Sequence, residues 1–277
     1  MSESVAPVIT KRRADQDDAA KAAVVSVTST TRLWRRFSLL LAPVLIVALA
    51  LVLWFYYQSL GVGTTAQIQV SSALDWDTKL RPQLTQHLTI AFWSTLLVIA
   101  IAVPLGVLLT RSGVRKIGPA VLTVANSGQA LPAYGLLIIF LALLGQGART
   151  VIVALVVYAI LPVLRNTMVG LDSVDRSTLE AGRGMGMTRL QTLLRIELPL
   201  AVPVIVAGIR TAMIINIGMA TLAFLIGGGG LGITINSGLK LNQDPVLLVG
   251  AIMVALVALT FDWLGALAER FLHPRGL

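Results

Sequence analysis

Reactive side chains are scarce in this sequence, and the few present do not converge. No cysteine occurs in 277 residues, which excludes disulfides, thiolate nucleophiles and cysteine metal sites. The two histidines, His87 and His273, are far apart in the chain and suggest no metal cluster. GGGGLG at 227–232 has the look of a phosphate cradle but lacks the Lys-Ser/Thr of a P-loop, and no G-x4-G-K-[ST] occurs anywhere. A flexible turn re-entering the membrane is the expectation there. No Ser/His, paired-Asp or His/Glu constellation falls inside an apolar run, so no catalytic or metal-binding residue is assigned.

The informative residues are charged or polar groups set among apolar ones. The stretch EAGRGMGMTRLQTLLRIELP, Glu180 to Pro199, lies between two strongly apolar runs. It contains two helix starts of the capping-box form, Ser177-Thr-Leu-Glu180 and Thr188-Arg-Leu-Gln191. Gly182, Gly184 and Gly186 separate them, so the spacing predicts helix, glycine turn, helix. Leu190, Leu193 and Leu194 share one face of the second helix. Pro199 suits the first turn of the next span, where its missing N–H costs nothing. Arg165, Arg210 and Asp262 fall inside or near apolar runs, where an ionised side chain facing lipid is expensive. Pairing or snorkelling is one reading of these three, and an inner gate is the other.

The elements that must position these residues follow from composition. The chain is 56% hydrophobic and 13% charged, with a mean hydropathy of +0.84, against about 25% charged in soluble domains. Together with apolar runs of near twenty residues, this predicts an all-α polytopic membrane protein. Six spans are expected at about 38–57, 87–109, 117–145, 150–170, 200–225 and 246–268. The third is interrupted by NSGQALPAYG at 126–135, irregular backbone that is tolerable only against protein or a water-lined cavity. Residues 1–37 read as a polar N-terminal tail, 58–82 as a polar loop and 269–277 as a short C-terminal tail.

Six spans place both termini on one side. That side collects sixteen Lys/Arg, against four (Lys79, Arg81, Arg149 and Lys240) on the other. The positive-inside rule therefore assigns the termini and the 171–199 segment to the cytoplasm and the 58–82 loop to the outside. The same rule accounts for the formal net charge of +9 without nucleic acid.

The spacing Glu180-Ala181, Gly186, nine residues, Ile196-x-Leu198-Pro199 resembles the EAA signature of permease subunits of bacterial ABC importers, E-A-A-x3-G-x9-I-x-L-P. The one departure is Gly182 in place of the second alanine. LPAYGLL (131–137), LPVLRNTMVGL (161–171) and INIGMATLAFLIGGGGLG (215–232) resemble the osmoprotectant branch, whose permeases import glycine betaine, choline and related quaternary amines.

The resemblance covers about residues 83–268 and implies the type I importer permease fold, in the bacterial inner membrane, with a cytoplasmic coupling helix between spans four and five. Glu180, Ala181, Gly182, Gly186, Met187, Ile196, Leu198 and Pro199 would then couple the chain to a cytoplasmic ABC ATPase dimer. Glu180 has two candidate roles, capping its own helix and meeting a basic or polar partner. ATP would be bound by the ATPase, not by this chain, and no other cofactor is implied. A second permease copy, identical or related, and an extracytoplasmic binding protein complete the implied set of partners. Asn126, Gln129, Tyr134, Asn216 and Thr221 are candidates for the translocation pathway, with Tyr134 offering a cation–π face; interhelical hydrogen bonding is their other reading. An importer for another solute, such as methionine or a phosphonate, is the alternative. An ion-coupled secondary transporter fits less well, since it calls for repeated halves and mid-membrane acids, and Asp262 is the only carboxylate within a span.

Overall fold

Prolines mark where the long helices begin. Pro82, Pro119, Pro199 and Pro245 each occupy the first turn of a helix, where their fixed φ is pre-organised and the absent N–H is not needed. The computed structural model describes residues 41–62 and 68–272. The tails at 1–37 and 273–277, His273 and the first residues of the first expected span lie outside the described residues. Two units divide the chain, 1–45 and 46–277, and the helix bundle lies in the second.

The described residues are helical. The long elements are α1 (Leu41–Ser59), α3 (Arg81–Leu109), α6 (Ala148–Asp172), α9 (Leu198–Met219) and α11 (Asp244–Phe271). Shorter ones are α2 (Ile68–Ala73), α4 (Gly118–Ala130), α5 (Ala133–Leu144), α7 (Arg176–Gly184), α8 (Arg189–Thr192) and α10 (Gly232–Lys240). Among the described residues, five helical stretches are long and apolar enough to cross a membrane, and α4 with α5 makes a sixth if that bent pair is one span. The second span starts earlier than expected. α2, the turn Trp76–Leu80 and the first turns of α3 fill much of the expected 58–82 loop.

The expected interruption of the third apolar run is present as a bend between α4 and α5, and its cause is local. Leu131 and Pro132 adopt extended ψ values of 140° and 134°. A residue before proline is pushed out of the helical region, so α4 ends there and α5 leaves at 99°.

α6 is the central helix, packed against α3, α4, α5 and α9. Small residues let the backbones approach. A Cβ on Gly106 would lie 2.7 Å from Thr167, and one on Gly208 would lie 2.8 Å from the Pro162 carbonyl. Val98, Ala102, Val156, Ala159, Val163 and Ala212 close the α3–α6–α9 core between them. A second apolar cluster joins Leu74, Leu80, Leu231, Val246 and Val249 under α1.

GGGGLG is a packed wedge, not the flexible turn expected from its composition. Gly227, Gly229 and Gly230 have φ of +75°, +82° and +93°, conformations that side chains with a Cβ rarely adopt. The Gly230 N–H donates to Gln86 Oε1 at 3.1 Å and the Gly147 N–H to the Ile226 carbonyl at 2.8 Å. Gly230 covers His87, which is wholly buried. Behind the turn, the Thr234 hydroxyl reaches Gln83 Oε1 at 2.5 Å, which ties α10 to α3.

Candidate functional site: the polar segment between two spans

The segment folds as two short helices joined by a left-handed turn of backbone. α7 is capped by Asp175, whose carboxylate accepts from the Ser177 N–H at 2.9 Å. This corrects the Ser177/Glu180 capping box. An acid two residues upstream takes the cap first, and Glu180 is left in the middle of α7, exposed and with no hydrogen bond or ion pair among the described residues. The second box forms as expected. Thr188 accepts from the Gln191 N–H at 3.3 Å, and Gln191 Oε1 accepts from the Thr188 N–H at 2.8 Å.

Between them the chain turns on Gly186, φ +82°. The Met187 N–H returns to the Gly182 carbonyl at 3.2 Å, and the Met185 N–H to Ala181 at 3.0 Å. The departure from the signature now has a physical setting. A Cβ on Gly182 would lie 2.5 Å from Ile196 Cδ1, with Met187 Sδ beside it at 3.6 Å. Gly182 and Ile196, two positions of one motif, therefore form the inner contact of the two-helix hairpin with Met187.

Apolar side chains stand open on this hairpin among the exposed Arg183, Arg189 and Arg195. Met185, Leu190 and Leu194 are 73%, 63% and 55% exposed, and Ala181 and Gly186 are exposed beside them. Thr192 and Glu197 are buried on the opposite side. A five-residue π turn, Leu193–Glu197, then joins α8 to Leu198 and Pro199 at the start of α9.

Two ion pairs hold the roots of this segment, and both involve residues read from the sequence only as cytoplasmic charge or not singled out at all. Glu197, with its side chain 7% exposed, receives both guanidinium N–H groups of Arg111, at 3.2 and 2.5 Å. Asp172, at the end of α6, receives Arg115 at 3.2 Å. The only trace of this in the sequence is that acids open and close the segment, Asp172 and Glu197, while the loop after α3 carries Arg111, Arg115 and Lys116 and no acid.

The three span-embedded charges separate. Arg210 and Asp262 form a two-pronged pair at 2.6 and 2.7 Å, with Glu269 at 3.7 Å. Asp262, Gly265 and Glu269 fall on one face of α11, and the Arg210 stem lies across Gly265. This is the pairing reading, between α9 and α11. Arg165 is exposed on α6 and has no partner among the described residues.

The polar candidates separate too. Asn216 is 0% exposed at the α3–α6–α9 junction. With its amide turned to satisfy every neighbour, it donates to the Leu155 carbonyl at 3.3 Å and accepts from Thr95 N–H at 3.3 Å. Such a residue ties helices together and presents nothing to a passing solute. Gln129 Nε2 donates to the Tyr158 carbonyl at 3.0 Å, bridging α4 to α6, and Thr221 Oγ1 donates to Gly218 at 2.6 Å. Asn126 is exposed on α4, and Tyr134, on the first turn of α5, is 54% exposed.

Residues 102–274, which include the whole segment, match the family described as "Binding-protein-dependent transport system inner membrane component". This chain belongs to that family. The choline transport system permease protein OpuBB of Bacillus subtilis is 46% identical to it over 192 residues, covering 69% of this chain and 88% of the relative. The glycine betaine/carnitine/choline permease OpuCB of the same organism has the same identity and coverage. The osmoprotectant import permease OsmY of Salmonella typhimurium is 41% identical over 189 residues, covering 68% and 80%. Among solved structures, a chain of the inward-facing MetNI methionine ABC transporter superposes with a TM-score of 0.61 at 24% identity, covering 70% of this chain and 95% of that one. That likeness fixes the fold as the all-α fold of that chain, and the family and the relatives make this chain an importer permease.

Proposed function

We propose that this permease imports a small quaternary-ammonium osmoprotectant, with glycine betaine, choline or carnitine as its solute class. The solute is handed over by an extracytoplasmic binding protein, and a cytoplasmic ATPase dimer drives its passage between this chain and a second permease copy. One observation carries the coupling role: the segment 176–197 is a capped, glycine-turned hairpin that leaves Met185, Leu190 and Leu194 exposed. A partner with an apolar groove would bury these side chains. Glu180, exposed beside it and unpaired among the described residues, is placed to meet a basic or polar group. The solute class rests on the relatives, four of which, at 38–46% identity, carry choline, betaine or carnitine in their names.

The physical logic suits such a solute. A quaternary amine offers no N–H donor and carries a diffuse charge. Asp262, the carboxylate that could trap it within a span, is already occupied by Arg210. The sixteen-to-four distribution of Lys/Arg supports a cytoplasmic placement of the segment and both termini.

The test is uptake of labelled glycine betaine, choline and carnitine in a bacterial strain lacking other osmoprotectant systems, with the permease, its ATPase and its binding protein expressed together. Methionine and a phosphonate serve as controls. Saturable uptake of at least one amine and of neither control is the expected result. Uptake of methionine alone would keep the importer and overturn the solute class.

A further inference from the structure

We propose that Arg111 and Glu197 form a latch that makes the loop between α3 and α4 part of the coupling element, so that a push on the hairpin reaches α3 as well as α6 and α9. This rests on the importer reading. It assigns positioning residues that the EAA signature does not contain, because Glu197 is the unspecified position between Ile196 and Leu198.

The hairpin joins the membrane at two points. At its exit, α8 runs into α9 through the π turn Leu193–Glu197. Wider turns of this kind are local irregularities, frequent at functional sites. A push on the hairpin would be absorbed at such a junction unless something bridges it, and Glu197, the last residue of the turn, is where the bridge forms. The carboxylate is almost fully buried and takes both prongs of the Arg111 fork. A buried carboxylate stripped of its partner is strongly disfavoured, so the hairpin and Arg111 move together.

Arg111 is itself held from behind. Its Nε donates to the Val107 carbonyl at 3.2 Å and a terminal N–H to Thr110 Oγ1 at 3.0 Å. Its charge therefore sits at the C-terminal end of α3, where free carbonyls favour a cation. The other root is tied to the same loop by Arg115 and Asp172. Asp172 and Glu197 thus meet two arginines that are four residues apart in the loop between α3 and α4. Arg115 and Asp172 are more than two-fifths exposed and contribute less, as surface pairs do.

The test uses the complete transporter (permease, ATPase and binding protein) purified and reconstituted in liposomes. Arg111→Lys keeps the charge and loses the fork. Glu197→Gln keeps the shape and loses the charge. The double variant Arg111→Lys/Glu197→Gln carries both changes. The readouts, per assembled complex, are ATP hydrolysis with and without solute-loaded binding protein and the amount of solute moved per ATP. Each single variant is expected to assemble and hydrolyse ATP while losing at least tenfold of the stimulation by loaded binding protein and moving less solute per ATP. The double variant is expected to lose no more than the worse single variant, because both changes remove one interaction. Single variants stimulated like the parent would overturn the latch. So would losses that follow assembly alone with solute per ATP unchanged, or a double variant whose loss is the product of the two single losses. A parent complex with no solute-stimulated hydrolysis would overturn the importer reading, and the latch with it.

Discussion

Gly182 and Gly186 are four residues apart in one signature, and the structure makes opposite demands on them. Gly186 has φ +82° and open space around its α-carbon. Its requirement is conformational, and a β-branched residue held there costs about 1–3 kcal/mol. Gly186→Val should therefore abolish uptake while the protein still inserts at the parent level, as read by membrane immunoblot and labelled-solute transport. Gly182 has an ordinary helical φ, and its restriction is the flexible tip of Ile196. That tip can rotate away, and alanine gains about 1 kcal/mol over glycine within a helix. Gly182→Ala should leave uptake within about twofold of the parent, and a complete loss would show that Ile196 cannot give way. Tyr134 tests the pathway. If its ring attracts the cation, Tyr134→Phe should be nearly silent, and Tyr134→Ala should raise the half-saturation concentration about fivefold, the equivalent of about 1 kcal/mol.

At the scale of elements, what was legible in the sequence was what is local in the sequence. The Thr188–Gln191 box formed because both partners lie within one turn. The Ser177–Glu180 box had the same pattern but lost to Asp175, a competitor two residues away. The break at Leu131-Pro132 followed from proline's effect on its predecessor. The latch was not legible, because its partners are separated by 86 residues and only the packing of α3 against α9 brings them together. Asn216 was left between two readings for a related reason: a polar residue in an apolar helix reads the same whether it lines a path or ties three helices. The turn at 227–232 was misjudged because glycine signals both flexibility and tight approach. There a Cβ on Gly232 would overlap the Thr221 carbonyl, which is backbone and cannot swing aside. Gly232→Ala should lower the thermal midpoint of the detergent-purified protein, at a cost of about 1–3 kcal/mol. Gly218→Ala, within α9 and with nothing within 4 Å, should hold the midpoint or raise it, since a helix favours alanine over glycine.

For the whole molecule, the distribution of charge predicts which end faces which compartment. The native absence of cysteine makes single-cysteine labelling clean. Met185, 73% exposed on the hairpin, and Asp77, exposed before α3, are the sites to use. Met185→Cys should react with an impermeant maleimide only in inside-out vesicles, and Asp77→Cys only in intact cells. Labelling of position 185 from outside intact cells would invert the topology and remove the hairpin from the ATPase's reach.

The central claim is that ATP, acting through the exposed hairpin, drives a quaternary amine across the membrane. It is tested most directly by accumulation of labelled glycine betaine and choline in proteoliposomes holding the purified transporter, with binding protein on one face and ATP on the other. The account predicts accumulation of at least one of them above the external concentration with ATP, none with a non-hydrolysable analogue, and none with ATP when Gly186 is replaced by valine. Accumulation driven by an imposed ion gradient without ATP, or undiminished accumulation in the Gly186→Val variant, would contradict it.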